Sequence, residues 1–261
     1  MGALNDTIGG FTVGEDFAIP DTWTQGRTAY GGLTAALAVA AAQASADDEL
    51  PPLRSAQFAF TAPAAEAISM HPHSLRRGRS ATSFAVEGIS GGQVAATASL
   101  IFSGTRESAV AHSVLAAPEV AAPHECPASR RDNALTPAFF TNFDVRVAGG
   151  AAPISRAEYP ELLCWVRHLD ATGVDPDVAV IALGDALPPA AMAAFADWAP
   201  VSTMSWTVNI CADKPVDPNG WFLLRSVSVV AHSGYSAQQM TMWDAGGAPV
   251  LIGTQTVAVF G

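Results

Sequence analysis

The sequence has few charged residues, and few of those are basic. Charged residues make up 14% of the 261 residues, hydrophobic residues make up 49%, and the formal net charge is −11 with 13 Lys and Arg. So acidic a chain is electrostatically unsuited to nucleic acid or to an anionic membrane. The low charged fraction also predicts that part of the surface is covered by a second copy of the chain in a homo-oligomer.

Cysteine is scarce as well. The three cysteines, Cys126, Cys164 and Cys211, are scattered and form no Cys-x-x-Cys pair, which excludes a disulfide framework and a zinc site of that type. We expect buried structural thiols. His71 and His73 lie near no cysteine or paired carboxylate, so no metal site and no cofactor are expected.

Long hydrophobic runs are also missing. No apolar run reaches the ~18 residues that a membrane-spanning helix needs. The N-terminus lacks the basic, apolar and small-residue order of a secretory signal. These absences predict a cytoplasmic protein with no membrane partner.

An alanine-rich stretch, residues 30–46, is the first clear structural signal. It is apolar on nearly every face and is entered through Gly31 and Gly32. A helix that is apolar all round must be buried, and a sheet wrapped around it would bury it. Segments typical of strands follow at 54–62, 67–76, 80–89 and 94–102. A helix followed by an antiparallel meander is the order of a hot-dog module.

The second part of the chain repeats this order. Periodicity is lost over residues 116–139, which predicts a connecting segment between halves at 1–115 and 140–261. A second alanine-rich stretch, residues 178–198, predicts a helix that starts near Pro188 and Pro189.

The strand-like segments of this half and a short repeat complete the pattern. Strands are predicted at 141–148, 161–169, 203–211, 221–231, 235–243 and 250–260. Gly78-Arg-Ser-Ala81 recurs as Gly234-Tyr-Ser-Ala237, each before a glycine pair, which indicates a duplication. The predicted fold is therefore α+β, a double hot-dog with two antiparallel sheets, each wrapped around a central alanine-rich helix.

Three short motifs carry a resemblance to a known family. They are Gln25-Gly-Arg-Thr-Ala-Tyr-Gly-Gly32, Leu75-Arg-Arg-Gly-Arg-Ser80 and Trp221-Phe-Leu-Leu224. In this order the chain resembles the acyl-CoA thioesterase II-like family of double hot-dog proteins. The resemblance implies that the protein binds an acyl-CoA and hydrolyses its thioester to a free acid and CoA.

The resemblance also implies an active site. In the family, an Asp, a Thr or Ser, and a Gln of the C-terminal half position a water molecule against the thioester carbonyl. Gln255 falls on the Gln position, but Ser205 stands at the Asp position and Val229 at the Thr position. Asp185 is the candidate base, and helix N-capping is its alternative role. The two altered positions leave open a second reading, a protein that binds an acyl-CoA or acyl ligand without turnover.

Gln255 supplies the most specific expectation. Its strand neighbours Leu251, Val257 and Val259 are apolar, and a buried amide without partners costs roughly 1–3 kcal/mol. We therefore expect its side chain to enter a cavity shared with Ser205, Asp185 or both.

The remaining candidate substrate-binding residues each have two readings. Gly31 and Gly32 can direct backbone N–H groups at an oxyanion or can permit close packing. Arg76 and Arg77 can meet the phosphates of CoA or can be solvated turn charges.

Overall fold

The computed structural model describes residues 3–129, 136–212, 216–217 and 219–260. Its α-helices are α1 Leu4–Gly9, α2 Gly31–Ala44 and α3 Pro176–Gly184. The first strands are β1 Phe17–Ala18, β2 Thr24–Gln25, β3 Thr28–Ala29, β4 Leu53–Phe60, β5 Ala67–Arg77, β6 Ala81–Ser90 and β7 Gln93–Ser103. The later strands are β8 Phe143–Gly150, β9 Glu161–His168, β10 Val201–Ile210, β11 Phe222–His232, β12 Tyr235–Asp244 and β13 Pro249–Val259.

Eleven strands form one continuous antiparallel sheet. Their order is β1-β5-β6-β7-β4-β10-β13-β12-β11-β9-β8, and β2 and β3 form a separate ribbon. The halves are joined where β4 pairs with β10, for example Phe58 opposite Trp206. The expected double hot-dog is confirmed in class, but the two expected sheets are one, because β4 and β10 share backbone hydrogen bonds instead of remaining as edges.

Helix α2 lies in the centre of the fold, as its composition predicts. Ten of its residues are buried, five of them alanines, and the helix packs against β5, β6 and β7. Alanine suits this place because it is the best helix former and lets a sheet approach closely. The alanine-rich stretch therefore places the N-terminus of α2 inside the protein.

Helix α3 packs antiparallel beside α2. At one end the Tyr30 hydroxyl donates to the Ala182 carbonyl at 2.8 Å. At the other end Gln43 Nε2 donates to Asp175 Oδ1 at 2.9 Å. The C-terminus of α3 thus meets the N-terminus of α2.

The expected start of the second helix was wrong. Helix α3 begins at Pro176 and is N-capped by Asp175, whose side chain accepts from the N–H groups of Asp177 and Val178. Proline in the first turn suits a helix start, but the proline that does so is Pro176. Pro188 and Pro189 instead lead into a 3₁₀ turn, Ala190–Ala194.

Residues 115–129 lie across the outer face of the C-terminal half of the sheet. Trp165 and Trp243 donate their indole N–H groups to the carbonyls of Ala121 and Leu115, at 2.9 and 3.4 Å. Cys126 packs there with both tryptophans, so the connecting segment covers apolar sheet surface. The division at 116–139 remains a prediction, and it includes residues 130–135, which lie outside the described residues.

Candidate active site

Asp185 lies where the two central helices meet. It follows the last residue of α3, so the N-capping role considered for it is wrong, and its carboxyl accepts from the Gly32 N–H in the first turn of α2. The first N–H groups of a helix have no acceptor within the helix and carry partial positive charge. The fold thus places a carboxylate against the positive end of a buried helix.

Gln255 holds the other side of this carboxyl. It is 4% exposed on the inner face of β13, beside Val257 and Leu251, and its Nε2 donates to Asp185 Oδ1 at 2.7 Å. Gln255 was expected to enter a cavity shared with Ser205, Asp185 or both, and the structure instead joins it directly to Asp185 by a hydrogen bond. The amide has two N–H groups, and one of them is used by Asp185.

A second glutamine continues the contact. Gln238 of β12 stands directly opposite Gln255 and is 2% exposed. Its Nε2 donates to Gln255 Oε1 at 2.9 Å, and its own Oε1 accepts from the Ala190 N–H at 2.6 Å. Gln238 was not among the predicted site residues. Alternation along β12 puts Gln239 outward and Gln238 inward, and pairing β12 with β13 would have brought the two amides together.

The environment of Asp185 changes its acidity. Burial raises the pKa of Asp185 to about 7, against the lowering effect of the Gln255 and Gly32 hydrogen bonds. The carboxyl group is buried, although the residue as a whole is partly exposed. A carboxyl that changes charge near neutral pH is suited to general acid-base catalysis. Burial, and secondarily the charge of Asp185, raises the pKa of the neighbouring Tyr30 well above its usual value, so Tyr30 stays neutral.

Both glycines permit close packing, which is one of the two readings given for them. A methyl group on Gly31 would lie 2.8 Å from Asp185 Oδ2, and one on Gly32 would lie 2.5 Å from the Tyr30 ring. Gly31 therefore leaves room for the carboxyl, and Gly32 lets the Tyr30 ring fold back over the helix.

Ser205 does not lie on the face that carries Gln255. An extra residue in β10, Met204, shifts the register, so that Thr203 pairs with Val257 while Ser205 pairs with Thr256. Paired residues share a face of the sheet, and a bulge reverses the alternation beyond it. Thr203 consequently lies on the Gln255 face and Ser205 on the outer one. The expectation that Ser205 shares a cavity with Gln255 is therefore not supported. The sequence alone could not show this, because it does not reveal the bulge.

Val229 is likewise separated from the site. It is the extra residue of a bulge in β11 and is 52% exposed. Ser228, the neighbour of Val229 in β11, is buried, and its hydroxyl forms a 2.8 Å hydrogen bond with the hydroxyl of Ser236.

Arg76 and Arg77 lie far from Asp185. Arg77 forms ion pairs with Asp47 and Asp48, which follow the C-terminus of α2. Asp185 contacts the other end of this 14-residue helix, about 21 Å away. These ion pairs favour the reading as surface charges.

A cleft opens beside the N-terminal half of α2. Its volume is only about 10 Å³, the space of about one water molecule, and it is lined mainly by apolar residues of α2 and β4 to β7, including Ala35, Phe60, Met70 and Gly88. The Phe60 ring also lies 3.6 Å from the methyl position of Gly31, so the cleft begins next to the Asp185 carboxyl.

The described part of the chain has neither a candidate metal site nor a candidate membrane-spanning helix. It contains no group of three or more His, Cys, Asp and Glu side chains that could hold a metal ion. Among the described helices, none has the length and apolar character needed to span a membrane.

Two modules of a helix followed by four strands, joined through one sheet, define a double hot-dog protein. The model of the acyl-CoA thioesterase N-terminal domain matches residues 19–103, and that of the C-terminal domain matches residues 121–259. The chain therefore belongs to the acyl-CoA thioesterase family. No curated protein matches the sequence.

Solved structures share the fold over nearly the whole chain. A hot-dog protein of unknown function from Alicyclobacillus acidocaldarius is 23% identical, with a TM-score of 0.86 over 100% of this chain and 99% of that one. A proposed thioesterase II from Thermobifida fusca is 21% identical, with a TM-score of 0.81 and coverage of 94% and 92%. An acyl-CoA thioesterase II from Mycobacterium marinum is 18% identical, with a TM-score of 0.73 and coverage of 94% and 93%.

Proposed function

We propose that this protein hydrolyses an acyl-CoA thioester to a free acid and CoA, with Asp185 as the general base. The observation that carries this proposal is the buried contact of the Asp185 carboxyl with Gln255 and with the N-terminus of α2. A thioester is attacked slowly by water unless a base accepts the proton and donors stabilise the oxyanion.

In the proposed reaction, Asp185 accepts a proton from a water molecule while the water oxygen attacks the carbonyl carbon. The second N–H of Gln255 holds that water, and the hydroxyls of Thr203, Ser228 and Ser236 lie on the same face of the sheet. The Gly31 N–H, in the first turn of α2, stabilises the oxyanion. The carbon–sulfur bond then breaks, and the proton on Asp185 passes to the CoA sulfur, which regenerates the carboxylate.

We place the acyl group at the cleft beside α2. Its lining is mainly apolar, and it starts at the carboxyl that would meet the thioester. Its volume of about 10 Å³ holds about one water molecule, so an acyl group enters only when the lining side chains, Met70 among them, move apart. The CoA moiety then extends outward past Asp185, where the residue is partly exposed.

The test is thiol release from acyl-CoAs of graded chain length, measured beside a binding titration of the same compounds. Thiol release that is lost in Asp185→Asn but kept in Asp197→Asn, an exposed aspartate, supports the proposal. Binding without release in the unaltered protein selects the acyl-ligand binding function instead.

We also propose that the chain associates with itself. Exposed apolar side chains gather at one end of the C-terminal half of the sheet: Met204, Val229, Val230, Tyr235 and Phe260. Soluble monomers seldom expose such clusters. Sedimentation at micromolar concentration should show an oligomer that Tyr235→Lys weakens, and a monomer throughout would contradict the idea.

A further inference from the structure

The two buried glutamines form a hydrogen-bonded chain with a defined direction. It runs from the Ala190 N–H to Gln238, from Gln238 to Gln255, and from Gln255 to Asp185, over distances of 2.6, 2.9 and 2.7 Å. Each amide accepts at one end and donates at the other. The two ends of the chain therefore determine how both amides are turned.

An amide side chain has nearly the same shape when its oxygen and nitrogen are exchanged, so packing alone does not fix its orientation. A backbone N–H can only donate, and it holds the Gln238 oxygen towards Ala190. The Gln238 nitrogen must then face Gln255 and donate to the Gln255 oxygen. The Gln255 nitrogen is left facing Asp185.

We propose that Gln238 is a positioning residue that keeps the Gln255 N–H groups turned towards Asp185. This inference rests on the proposed function of Asp185 as a base. With Gln255 reversed, an amide oxygen would face the carboxyl, and only a protonated Asp185 could donate to it. Gln238 thus favours the ionised carboxylate, which is the form that accepts a proton from water.

The surroundings contain little else that titrates. Tyr30 is the ionisable neighbour of Asp185, and it stays neutral. Among the described residues no charged side chain other than Asp185 hydrogen-bonds to either glutamine. A change in the titration of Asp185 after substitution of Gln238 by an uncharged residue therefore reports on the amide chain.

The decisive variant is Gln238→Glu. A glutamate can still accept from Ala190, but in its ionised form it cannot donate to Gln255, so the Gln255 amide should reverse. We expect kcat/KM at pH 7 to fall about tenfold or more, the equivalent of one hydrogen bond. We also expect the acid limb of the pH profile to move to higher pH. Gln239→Glu adds the same charge one residue away on the outer face and should leave the profile unchanged.

A second variant separates positioning from packing. Gln238→Met keeps the side-chain volume but removes the hydrogen bond to Gln255, which is then held by Asp185 alone. The acid limb of the pH profile should therefore move to higher pH, but by less than in Gln238→Glu. An acid limb at its original position in both variants overturns the proposal, even if both lose activity. Where Gln238→Glu fails to fold, the position of the limb in Gln238→Met decides.

A measurement without turnover distinguishes this inference from the proposed function. Carbon-13 NMR of the Asp185 carboxyl should give a higher pKa in Gln238→Glu than in the unaltered protein and in Gln239→Glu. The same pKa in all three proteins overturns the inference. Absence of thiol release from the unaltered protein would refute the proposed function alone.

Discussion

Gly31 and Asp185 come so close that a single methyl group on the glycine would lie 2.8 Å from a carboxylate oxygen. The glycine belongs to the first turn of α2 and the aspartate follows α3. Their contact therefore depends on how the two halves of the chain pack. It makes the helix pair, and not either helix alone, the unit that shapes the site.

Gly31→Ala should displace the Asp185 carboxyl from Gly32 and Gln255. We expect kcat/KM to fall by about 10²-fold, on the scale of one lost positioning group, with little change in melting temperature. Gly104→Ala is the matched control, because its methyl group would lie 4.0 Å from the nearest atom. Equal kinetics for Gly31→Ala and the unaltered protein would contradict the assigned geometry.

Gly32→Ala should affect stability more than chemistry. Its methyl group would lie 2.5 Å from the Tyr30 ring, which is stacked on Phe139 at 4.0 Å and bonded to Ala182, so the ring cannot move aside. Overpacking of this kind costs typically 1–3 kcal/mol. Denaturant unfolding of Gly32→Ala beside Gly31→Ala measures the contrast, and equal stabilities would refute it.

The pH dependence of activity follows from Asp185. Because burial raises its pKa to about 7, kcat/KM should rise with pH through about 7 as the carboxyl ionises. A pH profile of kcat/KM that stays flat from about pH 5 to about pH 9, roughly two pH units on either side of the expected midpoint, would exclude Asp185 as the base.

Gln255→Ala should lower turnover by about 10²-fold, whereas Thr256→Ala, one residue along on the outer face, should not.

Asp185→Asn should abolish activity and still stabilise the fold. The folded-state pKa is raised, so ionisation costs stability as pH rises from the unfolded value towards about 7. The asparagine avoids this cost, so its advantage should grow over that window and level off above it. The gain is at most about 4 kcal/mol and is reduced by partial exposure.

The stability measurement needs one internal control. Burial also raises the pKa of Asp177, to about 6, and its ionisation costs stability in an overlapping window. Unfolding free energies of Asp185→Asn and the unaltered protein should therefore be compared at each pH, since Asp177 contributes equally to both. A constant difference between pH 5 and pH 8, a span around the expected midpoint, would refute the assignment.

Met70 should limit the length of the acyl group. It lines the cleft beside α2, so Met70→Ala should shift the preference of kcat/KM towards longer acyl chains. The same change costs roughly 2–5 kcal/mol of stability wherever a methionine is buried. Met242→Ala, which removes a buried methionine that does not line the cleft, controls for that loss. Unchanged chain-length preference in Met70→Ala would place the acyl group elsewhere.

Periodicity predicted the long elements well. The helix expected over residues 30–46 is Gly31–Ala44, and the strand expected over 250–260 is Pro249–Val259. Helix α1 and the short strands β1 to β3 were not expected, since their segments are too short for a period to show. The start of α3 was misplaced because two candidate proline sites exist and only tertiary packing selects Pro176.

The site was only partly predictable. Gln255 and Asp185 were expected together, and they are hydrogen-bonded. Ser205 was placed on the wrong face because the bulge at Met204 is a property of strand pairing, not of residue type. Alternation along β12 places Gln238 inward, but its role depends on a partner in the next strand and on a backbone N–H in a distant turn, which residue type alone does not show.

The backbone pairing of β4 with β10 forms the seam between the two halves of the sheet. It bears on whether one half of this protein can exist alone. It joins backbone to backbone from Ser55 opposite Asn209 to Ala59 opposite Ser205. A chain cut between the halves would leave both strands with bare amide and carbonyl groups, a template for pairing with another molecule. Two copies of one half could satisfy those groups by recreating the seam with each other. In the intact chain the same pairing is made within one molecule, so it is a step of folding and not of assembly.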